Sequence, residues 1–108
     1  MKGKCRLLKI YVSEDSVHNG KSLYTAVVFK LKELGIAGAT VTRCIEGYGR
    51  SKRINTARLL DLSSSLPIII EAVDTQEQIE KAIPEIGKIV NEGLIMVADV
   101  DVIQYGKE

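Results

Sequence analysis

This chain has little aromatic, sulfur or imidazole chemistry to draw on. Its 108 residues include no tryptophan, one phenylalanine, two cysteines, two prolines and a single histidine. One histidine cannot make a multi-histidine metal site within one chain, and the sequence around His18 does not point to a Ser–His–Asp or Cys–His set. Two cysteines, Cys5 and Cys44, are too few for a disulfide framework or a zinc knuckle. No stretch reaches the ~18–20 consecutive apolar residues of a membrane span, so a membrane-embedded protein is not expected. Met1 to Arg6 does not read as a secretory leader, and a reducing, cytoplasmic setting follows as the expectation. A net charge of +1 with 45% apolar residues excludes a disordered chain. At this length one domain over residues 1–108 is expected, with a core thin enough that self-association would help it.

What is present is a change of hydrophobic period along the chain. Residues 4–12 alternate, with Leu8, Ile10 and Val12 on one face, and predict a strand. Asn19-Gly20 marks a turn. Leu23, Val27, Leu31 and Leu34 then recur at helical spacing, and Gly35 stands where a helix C-terminal glycine belongs. Ala39 to Glu46 is β-branched and predicts a second strand, and Leu66 to Val73 a third. Thr75 and Gln78 have capping-box spacing for a second helix with the stripe Ile79, Ile83, Ile86 and Val90. Pro84 should kink or split that helix. Leu94 to Tyr105 predicts a fourth strand with Leu94, Met96, Ala98, Val100 and Val102 on its apolar face.

The order β-α-β-β-α-β predicts an α+β, ferredoxin-like fold. Its four-stranded antiparallel sheet would have the order 4-1-3-2 and both helices on one face. Cys5 and Cys44 would then lie about two strand spacings apart, roughly 9–10 Å, too far for a disulfide. On the sheet's other face we expect Leu7, Tyr11, Ile69, Val73, Ile95, Val97 and Ile103, interspersed with Lys9, Glu71, Asp99 and Asp101. A mixed face of this kind suits a subunit interface, and a homo-oligomer is expected.

Chemistry concentrates between the second and third strands. The long loop, about residues 50–65, exceeds the usual length of a connection in a compact domain. At its root Gly47 and Gly49 allow close backbone approach or positive φ, and Arg50, Ser51, Lys52 and Arg53 follow, with Arg58 later. Residues 43–58 carry a net charge of +4, leaving the rest of the chain at −3. Such a patch attracts phosphates and carboxylates. Neither a P-loop nor a dinucleotide-binding glycine fingerprint is present. Tyr11 alone on a central strand is poor support for RNA recognition, so no nucleic-acid partner is expected.

The segment Gly47-Tyr48-Gly49-Arg50-Ser51-Lys52 resembles the PII family of trimeric signalling proteins, which carry G-[FY]-G-R-x-K at this place. The chain is more closely similar to a PII-like (GlnB-like) family of uncharacterised bacterial and archaeal proteins. That likeness rests on Gly38-Ala39-Thr40-Val41, Glu46-Gly47-Tyr48-Gly49-Arg50, Thr56-Ala57-Arg58-Leu59 and Leu66-Pro67. The resemblance implies a non-enzymatic regulatory homotrimer with ligand clefts between subunits. Gly47, Gly49, Arg50, Ser51 and Lys52 would contact a nucleotide, with Arg53 and Arg58 added by their charge. The loop would dock onto a partner, a membrane transporter or an enzyme. Two departures bear on the ligand. The turn Asn91-Glu92-Gly93-Leu94-Ile95 lacks the family's lysine and extra glycines, and the tail Gln104-Tyr105-Gly106-Lys107-Glu108 lacks its arginines. A small anion, with an adenine nucleotide as the candidate, is therefore the expectation rather than ATP held as PII holds it. The alternative is a trimeric, divalent-metal-handling protein like the CutA group, motivated by His18 beside Glu14 and Asp15 and by the two thiols. A hydrolase resembling acylphosphatases would need an arginine-bearing loop after the first strand, and Ser13 to Gly20 contains no arginine.

Overall fold

In the computed structural model, which describes residues 1–57 and 65–107, alternation and helical spacing become six principal elements. Strand β1 spans Gly3–Ser13, helix α1 Leu23–Glu33, β2 Ala39–Arg43, β3 Pro67–Asp74, α2 Gln76–Ile89 and β4 Leu94–Val102. The strands form one antiparallel sheet with the order β4-β1-β3-β2, the 4-1-3-2 arrangement. Two short ladders lie outside it, Val17–His18 with Lys21–Ser22 and Glu46–Gly47 with Asn55–Thr56. The first closes through Asn19 and Gly20, at φ 50° and 79°, the left-handed pair that a two-residue hairpin turn demands.

The core lies between the sheet and its two helices. Leu8, Ile10 and Val12 of β1 and Ile68, Ile70 and Ala72 of β3 meet Leu23, Val27 and Leu31 of α1 and Ile79, Ala82 and Ile86 of α2 in one buried cluster. Thr75 caps α2, its hydroxyl accepting from the Gln78 N–H at 3.2 Å. The buried Asp74 accepts from the N–H groups of Thr75 at 2.7 Å and Ala37 at 2.9 Å, tying the start of α2 to the turn before β2. Of the two expected outcomes at Pro84, a kink or a split, the split does not occur: α2 runs unbroken through it. Pro84 is exposed, so the carbonyl it leaves without a partner faces water, while Ile79, Ala82 and Ile86 hold both flanks on the sheet.

Strand β4 has the opposite facing from the one expected. Register pairs Lys9 with Met96, Tyr11 with Leu94 and Leu7 with Ala98, and paired residues share a face. Leu94, Met96 and Ala98 therefore join Leu7, Tyr11, Ile69 and Val73 on the side away from the helices. Ile95, Val97 and Asp99 fall on the helix side with Leu8, Ile10 and Arg6. Asp99 lies 3.1 Å from Arg6 there, while Lys9 and Glu71 remain together on the open face, 4.0 Å apart. The open face is thus more apolar than expected. Both faces of β4 are aliphatic, so its own alternation does not settle its orientation; pairing with β1 does.

The thiols are also further apart than expected. Cys5 lies beside the Asp74 end of β3, whereas the Cys44 N–H donates to the Pro67 carbonyl at the other end. The eight residues of β3 separate them, roughly 25 Å. Both are free, with Cys5 buried and Cys44 half-buried.

Gly93 admits β4 to the sheet, because a Cβ there would collide with the Tyr11 carbonyl oxygen and crowd Val90 and Val12 at 3.2 and 3.3 Å. Gly93→Ala is expected to lower stability by about 1–3 kcal/mol. The measurement is urea unfolding, in which the midpoint should fall at unchanged slope.

Candidate functional site

Chain continuity brings most of the predicted residues into one hairpin. Strand β2 stops at Arg43, earlier than the expected Glu46, because the chain turns outward there to form its own ladder. Glu46 pairs with Thr56 and Gly47 with Asn55, and the Ala57 N–H donates to the Ile45 carbonyl at 2.7 Å. The root of the long loop is therefore β-structure rather than the structureless stretch its sequence implies. Gly47, Gly49, Arg50, Ser51, Lys52 and Arg53 all belong to this hairpin; Arg58 lies outside the described residues.

The glycines act differently from expectation. Neither takes positive φ; Lys52 does, at 63°. Gly47 is a packing residue, since a Cβ there would stand 3.1 Å from the Pro67 ring. Gly49 faces open space, and its carbonyl accepts from the Lys52 N–H at 2.9 Å to close the turn. The Ser51 hydroxyl accepts from the Arg53 N–H at 3.3 Å. The Lys52 ammonium stands 5.7 Å from the centre of the exposed Tyr48 ring. Among the described residues no carboxylate pairs with Arg50 or Lys52, and both are exposed. Ile45, Tyr48 and Ile54 are exposed on the same hairpin.

Arg43, counted in the cationic patch, is exposed but already holds a carboxylate partner. Its Nε donates to Glu14 Oε2 at 2.7 Å and its Nη2 lies 3.5 Å from Oε1. Glu14 Oε1 also accepts from the Leu66 N–H at 3.3 Å. The Arg43 hydrogen bond holds the Glu14 carboxyl below its ordinary value, against a smaller opposing effect of burial. This contact joins residues 29 and 52 positions apart, so no local spacing announces it. It also withdraws Glu14 from the group around His18. His18 sits in the small hairpin with the Asn19 amide 3.4 Å from its Nε2, and among the described residues no three His, Cys, Asp or Glu side chains gather as metal ligands.

Residues 5–102 match the model of the DUF190 family, described as "Uncharacterized ACR, COG1993". A UPF0166 protein of Aquifex aeolicus (strain VF5) is 45% identical over 101 residues, 93% of this chain and 94% of its own length. Among solved structures, CPII from Thiomonas intermedia K12, a nitrogen regulatory PII-like protein bound to ADP, AMP and bicarbonate, aligns with a TM-score of 0.69. It covers 94% of this chain and 90% of its own at 17% identity. The divalent ion tolerance protein CutA1 from Ehrlichia chaffeensis aligns with a TM-score of 0.62 over 93% of this chain and 83% of its own, also at 17% identity. At these identities both likenesses are of fold.

Glu14 releases protons more readily in the folded chain than in the unfolded one, so its contribution to stability is present at neutral pH. That contribution is lost as pH falls through its lowered folded value. Glu14→Gln is expected to lower the melting temperature at pH 7, with the gap to the unmodified protein closing below the ordinary carboxylate range. Thermal melts from pH 7 to pH 3 provide the measurement.

Proposed function

This chain belongs to the DUF190 family, and from that premise we propose that it is a PII-like regulatory protein rather than an enzyme. In this reading it works in the cytoplasm as a homotrimer whose subunits pack through the open sheet faces. A small anion, with ADP, AMP or bicarbonate as the probes to try first, binds at the intersubunit edge beside the hairpin. Gly47, Gly49, Arg50, Ser51, Lys52 and Arg53 form the seat, with Arg58 further along the same loop. Binding changes the surface that the hairpin offers to a partner, a membrane transporter or an enzyme.

The observation that carries this reading is the hairpin itself. It holds Arg50 and Lys52 exposed, without a carboxylate partner among the described residues, on the fold of a PII-like protein that binds ADP, AMP and bicarbonate. Arginine grips phosphate or carboxylate through paired hydrogen bonds, and the open space at Gly49 lets such a group approach the backbone. The hairpin's exposed Ile45, Tyr48 and Ile54 are suited to cover by a protein surface. A divalent-metal role like that in CutA1's name has weaker support. Glu14, one of its expected ligands, is engaged by Arg43, and no ligand cluster forms among the described residues.

Calorimetric titration with ADP, AMP, ATP and bicarbonate tests the reading. At least one should bind, and Arg50→Ala should weaken it about tenfold, the effect of losing about 1.4 kcal/mol. Titrations that stay flat for all four overturn it.

A further inference from the structure

The contacts around Glu14 form a pattern that an ordinary surface ion pair lacks. Glu14 follows directly on β1, Arg43 is the last residue of β2, and Leu66 immediately precedes β3. One carboxylate therefore touches both places where the chain leaves and re-enters the sheet around the long loop. The Glu14 N–H also donates to the Leu66 carbonyl at 3.0 Å, so backbone and side chain hold the same residue. Beside this point the Cys44 N–H reaches the Pro67 carbonyl at 2.9 Å, and the Asn55 side chain accepts from the Ser65 N–H at 3.1 Å. The hairpin beyond has a ladder of only two residue pairs. A ladder that short does not orient itself, so the direction of the hairpin is set at its root.

We propose that Glu14 is a clasp: by gripping Arg43 and Leu66 together it fixes how hairpin 46–56 leaves the sheet, and it thereby positions Arg50 and Lys52. The positioning of an anion site rests on the function proposed above; the clasp itself does not. An isolated exposed pair contributes little to global stability. Here the same contact closes a loop between distant segments, so its loss should show locally before it shows globally.

Amide hydrogen exchange of the full chain without ligand tests the clasp. The Cys44 and Ala57 amides report on the root, and the core amides of Ile10 and Ile70 on global opening. Glu14→Ala should speed exchange at Cys44 and Ala57 at least tenfold while Ile10 and Ile70 stay within about threefold. Glu14→Gln, which keeps an acceptor for the Leu66 N–H, should fall between. Arg43→Gln reaches the contact from its exposed partner and guards against a misfolded Glu14 variant; it should reproduce the local effect. Lys88→Gln, which breaks the Lys88–Glu85 pair on α2 (2.9 Å), should change neither root amide. Root exchange within twofold of the unmodified protein in folded Glu14→Ala and Arg43→Gln overturns the clasp. The exchange result is independent of whether ADP binds: flat titrations with fast root exchange in the variants remove the ligand reading and leave the clasp standing.

Discussion

Burying Leu8, Ile10, Val12, Ile68, Ile70 and Ala72 against α1 and α2 obliges their neighbours in β1 and β3 onto the opposite side of the sheet. Both helices are committed to one face. Leu7, Tyr11, Ile69, Val73, Leu94, Met96 and Ala98 are then left on the other, with Lys9 and Glu71 the charged pair among them. Leu94 and Met96 are 51% and 41% exposed. Apolar area of this kind removed from water is worth about 25 cal/mol per Å². A chain of 108 residues with a single-sided core gains from covering it.

The hairpin projects from the Pro67 end of the sheet, where β1, β2 and β3 meet through Glu14, Arg43 and Leu66. Two kinds of positive charge result from one cationic patch. Arg43 is paired with Glu14 at the surface, at the end of β2. Arg50 and Lys52 are carried outward on a turn whose left-handed residue is Lys52, at φ 63°. Local charge alone does not separate these roles; the fold does, by bringing Glu14 to Arg43 and, among the described residues, no carboxylate to Arg50 or Lys52.

Much of this architecture is legible in the residues. The period-two run at Leu8–Val12, the helical stripe at Leu23–Leu31 and the Thr75–Gln78 cap each specify an element without help from distant sequence. What is not legible depends on pairing. Strand β4 has aliphatic residues on both faces, and only its register with β1 shows which set is open. The short ladder of Glu46–Gly47 with Asn55–Thr56 has two pairs and no alternation long enough to read. The engagement of Glu14 with Arg43 spans 29 positions and appears in no motif. Gly47 and Gly49 look alike in sequence, yet a Cβ at Gly47 would crowd the Pro67 ring while one at Gly49 would meet nothing. Only the neighbours distinguish them.

In the proposed homotrimer, other copies of this chain cover the open sheet face. Sedimentation equilibrium of the full chain across micromolar concentrations tests that most directly. The expected species is about 36 kDa, three times the 11.9 kDa of one chain. A single 11.9 kDa species throughout that range would contradict it.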